Sequence, residues 1–249
     1  MTGEPLRIGL VVPSGGPEAD YYRFEEQCRG AARIYMTISR VGGEFGKDHD
    51  LEALRETGRI DWIVEAAERI KPFRPDVVEW ACTSGSFILG RAYAEKQAAA
   101  LSAAMEVPAG STSLAFAAAA AGMKLAKVSV LATYPEPAAR AFEAFLGEFG
   151  IEVVSLEWLD APSGWDACKF EEDFIREHAR RALAPEAQAL LIPDTALPSL
   201  HFVAAMEKDL GRPVLTANAV TLWDAQRLAG SFVSLPGFGS LLAGATAAR

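Results

Sequence analysis

The stretch PDVVEWACTSGSF, residues 75–87, changes from apolar to small hydroxyl-bearing side chains at Cys82. Its first half is a short, nearly continuous apolar run, which is typical of a parallel strand buried on both faces. Cys82 then opens a segment of Thr, Ser and Gly, the residue types that begin helices and turns. We therefore predict that Cys82 stands at the carboxyl end of a buried strand, where open parallel sheets bind their ligands.

The same kind of apolar run recurs along the chain and alternates with helix-like stretches. The other runs are RIGLVVP (7–13), AKVSVLATYP (126–135), IEVVSLEWL (151–159), QALLIPDT (188–195) and RPVLTANA (212–219). The helix-like stretches cover 57–71, 90–106, 113–124, 136–149 and 169–184. Apolar strands alternating with amphipathic helices predict an α/β fold with parallel sheets covered by helices on both faces.

The two halves of the chain repeat one pattern of strand ends. In the first half these ends fall near residues 13, 82 and 112, and in the second half near 135, 194 and 217. The similar order predicts two pseudo-symmetric α/β lobes, residues 1–113 and 114–221, with a C-terminal helix, 222–249, returning to the first lobe. The active site is then expected in the cleft between the lobes, with Cys82 and Asp194 facing each other.

The composition excludes several classes of function. The chain has 249 residues, a net charge of −9 and a pI near 5.0, which argues against a nucleic-acid partner. Neither a membrane span nor a signal peptide is visible, so a cytoplasmic protein is expected. The three cysteines and three histidines show no metal-ligand spacing, so we expect chemistry without a metal or another cofactor.

Cys82 is the first candidate catalytic residue. The hydroxyl and N–H groups of Thr83, Ser84 and the following turn can hold a carboxylate and lower the pKa of a neighbouring thiol. Such a thiol would serve as a nucleophile or a base near neutral pH. The alternative is a buried cysteine that ends a strand, with the hydroxyls only capping the next helix.

Asp194 is the second candidate, because it follows the apolar run Leu190–Ile192 and Pro193. A partly desolvated carboxylate has a raised pKa and can exchange a proton with carbon; the alternative is a helix N-cap.

Small polar residues at the other strand ends are candidate substrate-binding groups. With Thr83 and Ser84 they are Ser14, Ser113, Tyr134, Thr195 and Asn218. His49, His201, Cys28 and Cys168 are expected to be non-catalytic.

Six segments together resemble one known superfamily. They are IGLVVPS, CTSGSF, STS, GMKLAKVSVLATYP, FLGEFGIEV and PVLTANAVTLWDAQRLAG. As a set they resemble the aspartate/glutamate racemase superfamily, and most closely its branch of maleate cis–trans isomerase and arylmalonate decarboxylase. The resemblance implies two α/β lobes around a cleft, where one cysteine per lobe flanks the α-carbon of a small carboxylic acid without a cofactor.

Carried over residue by residue, the resemblance assigns Cys82 to the first-lobe cysteine, Thr83 and Ser84 to carboxylate-holding donors, and Tyr134 to a carboxylate-binding tyrosine. Asp194 stands where the second-lobe cysteine is usual. The leading expectation is a cofactor-independent isomerase or racemase of a small carboxylic or dicarboxylic acid that works through a Cys82 thiolate. The alternatives are an arylmalonate-type decarboxylase with Cys82 as the proton donor and a non-catalytic small-anion binding protein. Whether copies of the chain form a homo-oligomer stays open.

Overall fold

Two four-stranded parallel sheets form the frame of the protein, and the structure, a computed structural model, describes residues 4–244. The first sheet contains β1 (Leu6–Val12), β2 (Ala32–Ile38), β3 (Val77–Trp80) and β4 (Ala109–Ser111). The second contains β5 (Lys127–Ala132), β6 (Glu152–Trp158), β7 (Ala189–Ile192) and β8 (Val214–Thr216). Their spatial orders, β2-β1-β3-β4 and β6-β5-β7-β8, are the same. The predicted α/β fold with two similar halves is confirmed.

Helices cover the faces of both sheets, as the crossover connections of parallel strands require. In the first half they are α1 (Glu18–Gln27), α2 (Leu51–Thr57), α3 (Ile60–Glu68), α4 (Ser84–Phe87), α5 (Arg91–Met105) and α6 (Thr112–Met123). In the second half they are α7 (Glu136–Gly147), α8 (Gly164–Ala167), α9 (Glu172–Ala182), α10 (Leu200–Leu210) and α11 (Ala217–Leu228). Over residues 4–244, none of these helices is long and apolar enough to cross a membrane.

The C-terminal segment differs from the predicted helix over 222–249. The helix, α11, begins at Ala217, directly after β8, and ends at Leu228. Gly230 follows with φ +65°, and its N–H donates back to the Arg227 carbonyl, so the chain turns away from the helix axis. α11 does lie against β3 and β4 of the first sheet, whereas the short turn Pro236–Phe238 packs on α10. Residues 245–249 lie outside the described residues.

One hydrophobic core joins the two halves. It contains strand residues of both sheets, such as Leu10 and Val130, together with the apolar faces of α6, α7 and α11. At its centre, the hydroxyls of Thr112 in α6 and Thr221 in α11 lie 2.7 Å apart in a hydrogen bond. Because α6 crosses the expected boundary at 113/114, that division of the chain stays a prediction.

A pair of carboxyl groups, Glu79 and Asp224, is buried where α11 crosses β3 and β4. Both oxygens of Glu79 lack a hydrogen-bond partner within the described residues, and a Cβ placed at Gly110 would lie 2.7–2.9 Å from oxygens of both carboxyls. Burial raises the pKa of Glu79 well above its usual value, and burial also raises the pKa of Asp224, which accepts a bond from Arg227. We infer that Asp224 keeps its charge and that Glu79 holds a proton at neutral pH.

We expect Glu79→Gln to stabilise the protein at neutral pH. The unfolded chain releases the Glu79 proton near its ordinary pKa, whereas the folded chain retains it, so wild-type stability falls as pH rises above about 4.5. Glutamine removes this loss without changing the shape of the side chain. The variant should therefore melt higher than wild type at pH 7.5, and the difference should shrink towards zero at pH 4. An equal shift at both pH values, measured by calorimetry, would show that Glu79 is not protonated in the fold.

Candidate active site

Cys82 lies two residues beyond the end of β3 and is almost fully buried, with 3% of its surface exposed. Its Sγ accepts a hydrogen bond from the N–H of Gly85 at 3.3 Å and lies 3.9 Å from the hydroxyl of Ser84. A Cβ at Gly85 would come within 3.1 Å of Sγ, so glycine here allows the backbone of α4 to approach the sulfur. The strand end and the short helix together hold the thiol in place.

The pKa of Cys82 is higher than the sequence led us to expect. Burial raises it to about 12, with a smaller contribution from the charges of Asp194 and Asp48, while the N–H of Gly85 and the hydroxyl of Ser84 offset part of the rise. The expectation of a depressed thiol pKa is therefore wrong for this structure, because removal from water outweighs two donors. Cys82 is protonated at neutral pH and is a proton donor in this state.

Asp194 follows β7 and is also buried, with 5% of its surface exposed. The hydroxyl of Thr133 donates to Oδ2 at 2.5 Å, and the N–H of Ala196 donates to Oδ1 at 2.8 Å. Its φ of +154° is rare for a residue with a side chain and costs about 1–3 kcal/mol. Since α10 begins only at Leu200, Asp194 closes a local turn and does not cap a helix.

Burial raises the pKa of the Asp194 carboxyl above its ordinary value. The charge of His49 and the hydrogen bonds from Thr133 and Ala196 act in the opposite direction. The sequence predicted a partly desolvated carboxylate at this position, and the geometry agrees with it. A carboxylate of raised basicity is a better acceptor of a proton from carbon than an exposed one.

His49, which the sequence placed among surface or packing residues, lies 4.0 Å from Asp194, measured from Nε2 to Oδ2. It is 5% exposed, and its ring packs nearly perpendicular to the ring of Tyr134, with the centroids 4.8 Å apart. Its Nδ1 lies 2.8 Å from the carbonyl oxygen of Ala161. Because a carbonyl can only accept, Nδ1 carries a proton and Nε2 is the atom turned to Asp194.

Cys82 and Asp194 line the same small cavity, so the structure brings together the two residues that the sequence paired. The cavity measures about 30 Å³, which is room for one or two water molecules. Of the predicted substrate-binding residues, Ser14, Ser84 and Thr195 line it, and the lining also includes His49, Asp48 and Thr57. No Lys or Arg of the described residues takes part, so a substrate carboxylate must be held by hydroxyl and backbone N–H groups.

Three further predicted residues do not line this cavity but carry buried hydroxyls. Within residues 4–244, the hydroxyl oxygens of Thr83, Ser113 and Tyr134 lack a hydrogen-bond partner, although each residue is at most 1% exposed. Burial raises the pKa of Tyr134 well above its usual value, so this hydroxyl stays protonated. Unpaired buried hydroxyls are costly, and their retention is typical of groups that bind a ligand.

Asn218 does not reach the cavity, in contrast to the prediction. Its amide N–H₂ donates to Asp20 at 2.9 Å and to the carbonyl oxygens of Thr195 and Leu197, and its Oδ1 accepts from Tyr21 at 3.2 Å. Both the donor and the acceptor end of the amide are thus bonded inside the protein. Asn218 supports the loop behind Asp194 and is not available to a substrate.

Comparison with known proteins assigns this chain to a family. The family model described as arylmalonate decarboxylase matches residues 51–242. The chain belongs to the arylmalonate decarboxylase family. It is 26% identical over 245 residues to the arylmalonate decarboxylase of Bordetella bronchiseptica, which covers 94% of this chain and 95% of that protein. It is 22% identical over 254 residues to the maleate isomerase of Alcaligenes faecalis, with 96% of each chain covered.

A solved structure gives the same fold. The maleate cis–trans isomerase of Nocardia farcinica, as a cysteine-to-serine mutant with a covalently bound succinylcysteine intermediate, superposes with a TM-score of 0.83 at 23% identity. The match covers 95% of this chain and 97% of that one. Membership of the arylmalonate decarboxylase family makes this chain an enzyme. Among residues 4–244, no group of three or more His, Cys, Asp and Glu side chains is arranged to hold a metal ion.

The high pKa of Cys82 predicts slow alkylation at neutral pH. With iodoacetamide at pH 7, we expect the partly exposed Cys168 to react first, and Cys82 to react roughly tenfold faster for each unit of pH between 7 and 10. Peptide mass spectrometry gives the three rates separately. Cys28, with a pKa also raised to about 12 by burial, is the matched control outside the cavity. Labelling of Cys82 ahead of Cys168 at pH 7 would show that a thiolate is present.

Proposed function

We propose that this enzyme is a cofactor-independent isomerase of a small carboxylic or dicarboxylic acid that transfers a proton at the carbon next to a carboxylate. The observation that carries the proposal is the pairing of a protonated thiol, Cys82, with a buried carboxylate, Asp194, in one cavity. Each comes from the carboxyl end of a strand in a different sheet. A base and an acid that reach one carbon from two sides can invert its configuration.

The reaction follows from these two protonation states. The Asp194 carboxylate removes the α-proton, and the electron pair of the broken C–H bond forms an enediolate on the substrate carboxylate. Donors such as Ser84, Thr83 and Tyr134 stabilise this charge, and each well-placed donor contributes about 3 kcal/mol. The Cys82 thiol then delivers its proton to the other face of the carbon. In the reverse direction the Cys82 thiolate is the base and the Asp194 acid is the donor.

The isomerase with a succinylcysteine intermediate suggests a related route for an unsaturated dicarboxylic acid. There the Cys82 sulfur would add to one carbon of the double bond while the Asp194 acid protonates the other, and reversal after rotation would give the trans product. This route needs a thiolate, whereas the buried Cys82 is protonated. Proton transfer at a saturated carbon therefore fits the site better.

A decarboxylase is the second candidate, favoured by the single thiol of the cavity and by the matching family model. In that reaction the bond between the α-carbon and a departing carboxylate breaks, carbon dioxide leaves, and the electron pair stays as an enediolate. The Cys82 thiol supplies the one proton required. Asp194 would then act only on the shape and charge of the cavity.

A deuterium experiment separates these candidates. Single enantiomers of small 2-substituted carboxylic acids, maleate, and a 2-aryl malonate are each incubated with the enzyme in D₂O and followed by proton NMR and chiral chromatography. We expect racemisation with deuterium entering the α-position and no loss of carbon dioxide. Release of carbon dioxide from the malonate alone would identify the decarboxylase. Binding of the acids without turnover would identify a small-anion binding protein.

Replacement of Asp194 tests its role directly. Asp194→Asn keeps the size of the side chain and its acceptor for Thr133, but it cannot take a proton. We expect turnover to fall by about 10²–10⁴-fold with little change in KM. Cys82→Ser should lower turnover comparably, while the matched control Cys168→Ser, a thiol outside the cavity, should not. Turnover of Asp194→Asn at the wild-type level would leave Cys82 working alone and would favour the decarboxylase.

A further inference from the structure

We propose that His49 is the proton partner of Asp194, so that its Nε2 receives, through one bridging water, the proton that the Asp194 carboxylate takes from the substrate. The inference rests on the proposed function and deepens it by naming the group that returns Asp194 to its carboxylate form. His49 acts through Asp194 and does not touch the reacting carbon, so it is a positioning residue.

The first support is the way the protein fixes the imidazole ring. The backbone N–H of His49 donates to the carbonyl of Pro162 at 3.1 Å, and Nδ1 donates to the carbonyl of Ala161 at 2.8 Å. The ring also packs on Tyr134. With Nδ1 held as a donor, the tautomer is set and Nε2 is left as the proton acceptor.

The second support is the direction of Nε2. It lies 4.0 Å from Oδ2 of Asp194, which is too long for a direct hydrogen bond. Both residues, however, line the same cavity of about 30 Å³, which has room for a water between them. A bridging water forms hydrogen bonds nearly as favourable as a direct contact, and a proton can be transferred through one such water.

Asp194 must lose the proton that it has taken from the substrate, and His49 can accept it. After proton abstraction, Asp194 is a neutral acid that is almost fully buried, with Oδ2 and Oδ1 still bonded to Thr133 and Ala196. The proton passes from Oδ2 to the water, and a proton of the water passes to Nε2, which yields an aspartate beside an imidazolium. When the product leaves and water re-enters, the imidazolium gives its proton to water and the Cys82 thiolate takes one from water, so the starting state is restored and atoms and charge balance.

The charged and titratable groups around the ring are compatible with this cycle. Asp194 faces it from the second sheet, and Asp48 precedes it in the chain. Asp166 lies in α8, where hydrogen bonds from Ser163 and Lys169 lower its pKa and the charge of His49 adds a smaller contribution. Tyr134 and Cys82 complete the surroundings as groups that are neutral at pH 7. An imidazolium in this place is therefore balanced by carboxylates.

The test uses two variants that separate anchoring from proton transfer. In His49→Asn, the amide N–H₂ occupies the position of Nδ1 and keeps the bond to Ala161, but nothing replaces Nε2. In His49→Gln, the amide reaches the position of Nε2 but cannot be protonated. If His49 is the proton partner, both variants should lose about 10²-fold in kcat with KM nearly unchanged, and added imidazole should restore part of the rate to His49→Asn.

The matched control is His201→Asn, which removes an exposed histidine that pairs with Glu172 outside the cavity and should leave the rate unchanged. The pH profile of kcat should change in both His49 variants relative to wild type and stay unchanged in the control. A wild-type rate and pH profile in His49→Asn would show that His49 only anchors the loop, and would overturn the proposal.

A second readout does not depend on turnover. The carboxyl of Asp194, followed by carbon NMR of protein labelled in aspartate, should titrate at higher pH in His49→Asn than in wild type, because His49 lowers the pKa of Asp194. An unchanged titration would overturn the pairing even if the enzyme is an isomerase. Conversely, a shifted titration in an enzyme that exchanges no α-proton would leave the pairing in place and refute the proposed function.

Discussion

The carboxylate of Asp20 holds the two halves of the protein in one arrangement. It is fully buried in α1 of the first lobe, and it accepts hydrogen bonds from the N–H of Ser199 at 2.6 Å, at the start of α10, and from the amide of Asn218 at 2.9 Å. A helix begins with unpaired N–H groups and a positive end of its dipole, so a carboxylate from the other lobe is a strong partner. Asn218 in turn binds the carbonyl of Thr195, and the position of Asp194 therefore depends on Asp20.

Burial determines the protonation states of Cys82 and Asp194, the two residues that these contacts help to position. The same loss of water raises the pKa of Cys82 and of Asp194, but from very different starting values. The thiol is consequently a neutral acid at pH 7, while the charge of His49 and the hydrogen bonds from Thr133 and Ala196 offset part of the rise in the pKa of the carboxyl. A pair of identical thiols would need one of them to be ionised at the expense of the other. A thiol and a carboxyl begin as acid and base without that requirement.

The sequence predicted the parts of the fold and site that local patterns determine, and it missed those that depend on distant contacts. The ends of β3 and β7, and with them Cys82 and Asp194, follow from apolar runs that stop at small polar residues. β2 was missed because this edge strand is only half-buried and carries Arg33 and Tyr35 among its apolar residues. His49 was missed because a bond to Ala161, 112 residues away in the sequence, holds its ring in the site. No local pattern around residue 49 indicates such a contact.

The loop that covers the small cavity also supplies the ring that faces Asp194. The loop that carries Asp48 and His49 reaches across the cleft, where Asp48 accepts from the N–H of Gly164 at 3.0 Å and His49 binds the neighbouring carbonyls. The cavity of about 30 Å³ has room for one or two water molecules, so a carboxylic acid needs more space than this arrangement offers. Beyond the same loop lies a wider space of about 420 Å³ lined by Phe45 and Trp165, through which a substrate can approach. Since the bonds that hold this loop also orient the His49 ring, the residues that limit the cavity to one or two waters are the same ones that set the partner of Asp194, and fixed donors stabilise a charge best where so little water remains.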